Sequence, residues 1–146
     1  MDFLNIAYTI TNVGTFYGNE LSFEISTLEY KIIKFPEFGI AVLNQDLEKT
    51  GSITTATEMC EFFELDGFKD WRLPTRAQLC NLFMKRDTLG FLDDSYWTRD
   101  FWYSEDYDKY YFYTIDFSRQ NCFPNLIDLS YGWTLRRVRP IHLLLP

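Results

Sequence analysis

The stretch 67–83, GFKDWRLPTRAQLCNLF, carries the clearest structural signals in this chain. Pro74 fixes its own φ and disfavours a helical conformation in the residue before it, so the chain up to this point is predicted to be extended. Thr75 and Gln78 form a capping-box pattern, which predicts a helix over about residues 76–86. The centre of the stretch, DWRLPT, is therefore predicted to be a short strand that leads into a helix.

A second amphipathic helix is predicted just upstream, over about residues 55–65, where apolar side chains recur at helical spacing. Thr55, its first residue, forms a capping-box pattern with Glu58. The helix is expected to end at Asp66-Gly67, where the backbone can adopt a left-handed conformation. The same spacing places Cys60 on the buried face. A packed thiol is expected there rather than a reactive one, since free cysteines are among the most buried residues.

The rest of the chain shows the alternation of β-strands, which makes the predicted fold class α+β. Strand patterns occupy residues 3–43, and YYFYTIDF (residues 110–117) has apolar side chains on both faces, as a central strand would. In WTLRRVRPI (residues 133–141), Trp133 and Leu135 follow the alternation of a strand, but the next apolar residue is Val138, one position later than the alternation requires. A β-bulge is therefore predicted at residues 136–137.

Composition and charge favour an acidic binding protein over one that binds nucleic acid. The chain has 146 residues, which is the size of one domain, and 19% of them are aromatic. Its net charge of -7 disfavours a nucleic-acid partner, because affinity for phosphate comes mainly from lysine and arginine. Residues 93–108 hold six acids against one base, Arg99. A protein partner with a basic surface is expected, and no membrane partner, because no apolar run is long enough to span a bilayer.

The cysteines and the single histidine show no pattern of a catalytic or metal site. Cys60, Cys80 and Cys122 are far apart and form no Cys-x-x-Cys pair, and His142 lies among aliphatic residues. Free thiols in a reducing compartment are the default expectation for such a set, and the N-terminal residues lack the basic start of a signal peptide. A cytoplasmic protein without catalytic residues, cofactor or metal is expected, although a cation in the acidic run is left open.

Several motifs together resemble the Lcl C-terminal domain family, a set of bacterial and phage domains of largely unknown function. The resemblance covers residues 38–140 and is carried by GFKDWRLPT, YWTRDFWYSE and RRVRP. It implies a C-type-lectin-like fold, in which two helices pack on a twisted, mostly antiparallel sheet with long loops and the chain end pairs near the start of the domain. Residues 1–35 have no counterpart and are predicted to be an N-terminal β extension to the domain of residues 36–146, within a single compact unit.

The chain departs from the family's pattern before the first helix, where FGIAVLNQD stands in place of a Trp-containing strand. It also lacks the calcium-ligating motifs of C-type lectins, since Phe123-Pro124-Asn125 has no acid or amide before the proline. The related formylglycine-generating enzymes use a close pair of cysteines late in the chain, and only Cys122 lies there. An enzyme of this fold is therefore disfavoured.

A first set of residues is assigned to structure rather than to ligand binding. Trp71 is expected in the core, and Arg72 is expected to pair internally, for example with an acid of residues 93–108. The arginines near the chain end are expected to form ion pairs. The structural set is Trp71, Arg72, Pro74, Thr75, Gln78, Arg137 and Arg139.

The segment SYWTRDFWYSEDYDKYYFY (residues 95–113) is the predicted binding surface, because its rings exceed what one small core needs. The predicted binding residues are Tyr96, Arg99, Trp102, Tyr103, Glu105, Asp106, Tyr107, Asp108 and Tyr110. The preferred function is a non-catalytic module that recognises a protein. A calcium-independent glycan-binding module, an origin as a phage or mobile-element inhibitor, and a homodimer through β-edges in residues 1–35 are left open.

Overall fold

The computed structural model describes residues 29–129 and 135–145, and the strands predicted within residues 1–28 lie outside these ranges. The elements are β1 (Ile32–Phe35), β2 (Ile40–Leu43), β3 (Lys49–Thr50), α1 (Ile53–Phe62), α2 (Arg76–Phe83), β4 (Ser95–Ser104), β5 (Lys109–Asp116), β6 (Pro124–Asp128), β7 (Arg136–Arg137) and β8 (Ile141–Leu143). A short 3-10 turn, Pro36–Phe38, joins β1 to β2.

The strands form two sheets, which confirms the predicted α+β class. One sheet has the order β1-β2-β8 and the other has the order β3-β7-β4-β5-β6. Among the described strands, every pair is antiparallel except β4 with β7. The pairing of β2 with β8 brings the end of the chain back beside the start of the fold. The predicted division at residue 35 falls at the end of β1, whose hydrogen-bonding partner is β2.

The DWRLPT segment leads into helix α2 as predicted, but the predicted short strand is only a single bridge at Arg72, and Asp70 has a positive φ of 62°. Arg72 forms an isolated antiparallel bridge with Ile141, with N–O distances of 2.9 and 2.8 Å. The capping box is confirmed: the backbone N–H of Gln78 donates to Thr75 Oγ1 (3.1 Å), and the backbone N–H of Thr75 donates to Gln78 Oε1 (2.9 Å). The helix ends at Phe83, earlier than predicted, because the chain continues in turns.

Helix α1 begins earlier than predicted, and the cap is a different residue. Ser52 is the N-cap, and its hydroxyl accepts from the backbone N–H of Thr55 at 3.2 Å. Asp66 and Gly67 do have positive φ, of 52° and 81°, but they lie beyond the helix. They form the two-residue turn of a tight hairpin, for which consecutive left-handed residues are well suited.

The two helices lie on opposite faces of the five-stranded sheet. Tyr96 and Trp97 are consecutive on β4, so their side chains point to opposite faces. Trp97 packs in the cluster that contains Cys60 of α1, and Tyr96 packs in the cluster that contains Leu79 of α2. Cys60 is buried as predicted, and its burial raises the pKa of the thiol. Strand β5 lies between β4 and β6, which confirms it as a central strand.

A buried ionic network joins the chain end to this core. The guanidinium of Arg139 is fully buried and donates to Asp46 Oδ1 (2.8 Å) and to three backbone carbonyl oxygens at 2.7 to 3.1 Å. Asp46 Oδ2 lies 3.6 Å from Arg137 Nη1, and Arg137 Nε donates to Asp94 at 2.9 Å. The ion pairs predicted for the terminal arginines are therefore present for Arg137 and Arg139, whereas Arg136 donates to the carbonyl oxygen of Leu135.

The cysteine prediction was wrong for two of the three thiols. Cys80 of α2 and Cys122, in the loop before β6, form a disulfide across a sequence separation of 42 residues. The wide spacing favoured free thiols, but the β5–β6 connection returns over α2 and brings the two sulfur atoms together. Cys60 is the free cysteine.

The β-bulge prediction was also wrong in its position. Leu135 is exposed and Val138 is buried, so ordinary alternation accounts for both, and β7 pairs with β3 without a register shift at residues 136–137. The irregularity lies in β4, where the register shifts between Trp97 and Phe101. Three residues of β4 there face the single residue Tyr113 of β5.

Candidate functional site

The part of the β4–β5 hairpin beyond this bulge, residues 101–112, is called the distal hairpin here. Its paired positions are aromatic on both strands: Phe101 faces Phe112, Trp102 faces Tyr111, and Tyr103 faces Tyr110. Of these residues, Phe112 is half-buried and packs against the cluster that contains Cys60 of α1. Five aromatic residues of the distal hairpin are exposed. Their exposed fractions are 71% for Tyr107, 56% for Phe101, 50% for Trp102, 50% for Tyr110 and 39% for Tyr103.

The rings of the distal hairpin contact one another on both faces of the sheet. On the α1 side, the ring centroids of Phe101 and Tyr110 are 5.6 Å apart, and those of Tyr103 and Tyr110 are 4.9 Å apart. On the other face, Trp102 lies 5.6 Å from Tyr111. These cross-strand contacts hold the rings in place while leaving them open to solvent. Rigid, exposed rings of this kind bind with a small loss of conformational entropy.

Acidic side chains occupy the turn at the tip of the distal hairpin. Glu105 and Asp106 are exposed, and neither has a hydrogen bond or ion pair within the described ranges. Asp108 has a positive φ of 49° and accepts a hydrogen bond from the hydroxyl of Tyr103. This hydrogen bond to Asp108 raises the pKa of Tyr103. The tip therefore presents free carboxylates next to exposed rings.

Two other acids of residues 93–108 are used inside the fold. Asp94 pairs with Lys49 (2.9 Å) as well as with Arg137. Asp100 accepts from the backbone N–H of Arg76 (2.7 Å) and from its Nε (3.2 Å), and so satisfies a free donor at the start of α2. The acidic run thus serves both structure and surface, and its unpaired charge is concentrated at the hairpin tip.

Tyr96 was wrongly predicted to be a binding residue. Its side chain is fully buried, and its hydroxyl donates to Asp46 Oδ2 (2.9 Å) and accepts from the backbone N–H of Leu92 (2.9 Å). Burial, followed by the charge of Asp46, raises the pKa of this hydroxyl. The error arises because Tyr96 precedes the bulge, where both faces of the sheet are covered.

Arg99, also predicted as a binding residue, lies within the bulge and is exposed. It faces the groove beside α1, together with Arg72. Trp71 is buried as predicted, and its Nε1 donates to the carbonyl oxygen of Phe68 at 3.0 Å. The expected internal ion pair of Arg72 was wrong, because Lys49, Arg76 and the terminal arginines pair with the nearby acids instead.

Sequence reasoning missed Phe101 and Phe112 as part of the surface. Phe101 is more exposed than Trp102, and its ring lies 5.6 Å from that of Phe112. The alternation in YYFYTIDF does place Tyr110 and Phe112 on one face. However, the residues of β4 that pair with them could not be identified from the sequence, because the bulge shifts the register of β4.

Within the residues that the structure describes, no three His, Cys, Asp or Glu side chains are grouped so that they could hold a metal ion. Neither α1 nor α2, the helices of the described ranges, has the length and apolar character that crossing a membrane requires.

Comparison with known proteins adds no family to this description. The resemblance to the Lcl C-terminal domain family, and the C-type-lectin-like arrangement that it implies, stay predictions. No family model, curated protein or solved structure matches this chain.

Proposed function

We propose that the protein is a non-catalytic module that binds another protein through the distal hairpin. The observation that carries this proposal is the row of half-exposed rings on both faces of residues 101–112, beyond the bulge of β4. Tyr and Trp are enriched at the centres of protein interfaces, where each contributes a large contact area. A surface of this kind on a small domain is typical of an interaction site.

The charge of the tip supports a partner with a basic surface. Glu105 and Asp106, beside Tyr107, have no ion pair within the part of the chain that the structure describes, and the whole chain carries a net charge of -7. Opposite charges at the edge of an interface mainly accelerate association and orient the partner. The rings would then account for most of the affinity, and the acids for most of its dependence on salt.

The disulfide supports an oxidising compartment rather than the cytoplasm expected from the sequence. Bonds such as Cys80–Cys122 persist mainly where thiols are not kept reduced. We therefore place the binding function in an oxidising compartment.

The proposal is tested by affinity capture from the native host, followed by mass spectrometry. The wild type is compared with the double variant Tyr103→Ala/Tyr107→Ala and with Phe62→Ala. Phe62 is a suitable control because its side chain is 70% exposed, against 71% for Tyr107, but it lies on α1 outside the distal hairpin.

We expect one partner to be retained by the wild type and by Phe62→Ala and lost by the double variant, while all three keep the same melting temperature. Retention by the double variant, or loss with Phe62→Ala, contradicts the assignment of the site. A double substitution of Glu105→Gln and Asp106→Asn should instead slow association and weaken its salt dependence.

A further inference from the structure

A groove beside α1 has a charge pattern that the proposed protein-binding surface does not explain. The groove has a volume of about 480 Å³ and lies between α1, the DWRLPT segment and the bulge of β4. Arg72 and Arg99 contribute two guanidinium groups to its lining, and Glu61 and Asp70 contribute two carboxylates. Its volume is within the range of pockets that bind small molecules.

The two arginines of the groove differ from all the others in the chain. All eight arginines lie within the described ranges. The six whose side chains bind a carboxylate or a backbone oxygen are Arg76, Arg86, Arg119, Arg136, Arg137 and Arg139. Within residues 29–129 and 135–145, the side chains of Arg72 and Arg99 have no hydrogen bond, ion pair or ring contact. Both are therefore available to an anionic group of a ligand.

The backbone holds both arginines at fixed positions. Arg72 is bridged to Ile141 by two hydrogen bonds of 2.9 and 2.8 Å, and the backbone N–H of Arg99 donates to the carbonyl oxygen of Pro74 at 2.9 Å. The bulge that contains Arg99 turns its side chain out of the sheet's regular alternation. A site whose backbone is ordered beforehand loses less entropy when a ligand binds.

The acids of the groove restrict the ligand further. Glu61 and Asp70 line the same groove as the arginines, yet no ion pair within 4.0 Å joins them to Arg72 or Arg99. A phosphate dianion would meet the repulsion of both carboxylates. A ligand with one carboxylate and one ammonium group would match both the two arginines and the two acids. A guanidinium group binds a carboxylate through two parallel N–H donors, and a carboxylate accepts hydrogen bonds from an ammonium group.

Aromatic side chains also line the groove. Phe101 and Phe112 line it next to the charged residues, and their rings are 5.6 Å apart. Apolar area beside a charged recognition site favours a ligand with an apolar side chain.

We propose that this groove binds a small zwitterion, a free α-amino acid with an apolar side chain. The carboxylate lies between Arg72 and Arg99, the ammonium group faces Glu61 and Asp70, and the side chain packs on Phe101. This site shares Phe101 and Phe112 with the distal hairpin, while its charged residues lie outside that hairpin.

The proposal is tested by isothermal titration calorimetry of the full chain with L-phenylalanine and with L-leucine. L-phenylalaninamide lacks the carboxylate, and N-acetyl-L-phenylalanine lacks the ammonium charge. We expect at least one of the two amino acids to bind with a dissociation constant in the millimolar range or below. Each derivative of phenylalanine should bind at least about tenfold more weakly than the better amino acid, which corresponds to about 1.4 kcal/mol.

Variants then assign the binding to the groove. Arg72→Gln, Arg99→Gln and Glu61→Gln should each weaken binding at least about tenfold while the melting temperature holds. Lys69→Gln and Asp66→Asn are the controls, since both side chains are exposed and lie outside the lining. The proposal is overturned if neither amino acid binds, if a derivative binds as tightly as the better amino acid, or if the control variants weaken binding as much as the groove variants.

Discussion

The two halves of the β4–β5 pair contain the same kinds of side chain but use them differently. Before the bulge, Tyr96 and Trp97 are at most 1% exposed, because α1 and α2 cover the two faces of the sheet. After it, Phe101 and Trp102 are at least 50% exposed. Ring content alone therefore does not distinguish core from surface. What distinguishes them is how far the helices extend over the sheet, and the bulge at residues 98–100 marks the boundary between the buried and the exposed rings.

The first prediction concerns the buried network that anchors the covered half. Arg139→Met should lower the free energy of unfolding by about 3–5 kcal/mol, because Asp46 loses the partner of a buried ion pair. Urea denaturation measures this loss. Arg119→Met is the control, since the pair of Arg119 with Asp116 is largely exposed and should contribute less than about 1 kcal/mol. Equal losses in the two variants would contradict the difference between buried and exposed charge.

The second prediction concerns the disulfide that holds α2 to the loop before β6. Replacing both Cys80 and Cys122 with Ser should lower stability by about 2–4 kcal/mol, since the bond closes a long loop. Thermal unfolding with and without reductant measures the effect, and the double variant should not respond to reductant. Thiol titration of the denatured, non-reduced wild type should find one thiol, that of Cys60. Finding all three thiols would show that the bond does not form.

The third prediction compares one hydroxyl on each side of the bulge. Tyr96→Phe should lower stability by about 1–3 kcal/mol, because Asp46 and the backbone N–H of Leu92 lose a buried partner. Tyr103→Phe removes an exposed hydroxyl that bonds to Asp108, and it should leave stability unchanged. Both values come from chemical denaturation. A larger loss of stability for Tyr103→Phe than for Tyr96→Phe would contradict the assignment of Tyr96 to the buried half and Tyr103 to the exposed half.

The fourth prediction concerns stability in acid. Partial burial tends to raise the pKa of Asp94, but hydrogen bonds from Lys49, the Ser95 backbone and Arg137 outweigh it, so the pKa falls below its ordinary value of 3.8. A carboxyl whose pKa is lowered in the folded state contributes stability above its ordinary pKa and loses it as the pH falls through the folded value. Stability should therefore decline as the pH drops below about 4.

The control for this prediction is the neighbouring acid. Asp94→Asn should lower stability near neutral pH and reduce the decline in acid. Asp93→Asn should do neither, because Asp93 is exposed and has no partner within the described residues. The same pH profile for both variants would contradict the role of Asp94.

Local signals in the sequence predicted local structure well. Thr75 and Gln78 are three residues apart and form the predicted capping box, because both partners lie within one helical turn. The same reasoning failed at α1, where Ser52 and Thr55 are both suitable caps and only packing decides between them. Asp66-Gly67 was correctly assigned a left-handed conformation. However, the local sequence did not show that these residues form a hairpin turn rather than the end of the helix.

Features that depend on distant residues could not be predicted. Arg139 binds Asp46 across a sequence separation of 93 residues, and Cys80 binds Cys122 across 42. The bulge of β4 leaves no composition signal, and without it the register of Phe101 and the burial of Tyr96 cannot be assigned. The sequence therefore indicated a segment that contains exposed rings, but the exposure of each ring depended on the paired strand.

The most direct test of the distal hairpin as the binding surface is the dissociation constant of the captured partner, measured with Tyr107→Ala and with Phe62→Ala. Both substitutions remove an aromatic side chain of nearly equal exposure, and neither should change the melting temperature. We expect Tyr107→Ala to weaken binding at least about tenfold and Phe62→Ala to leave it unchanged. An unchanged dissociation constant for Tyr107→Ala, or an equal loss in both variants, would contradict the account.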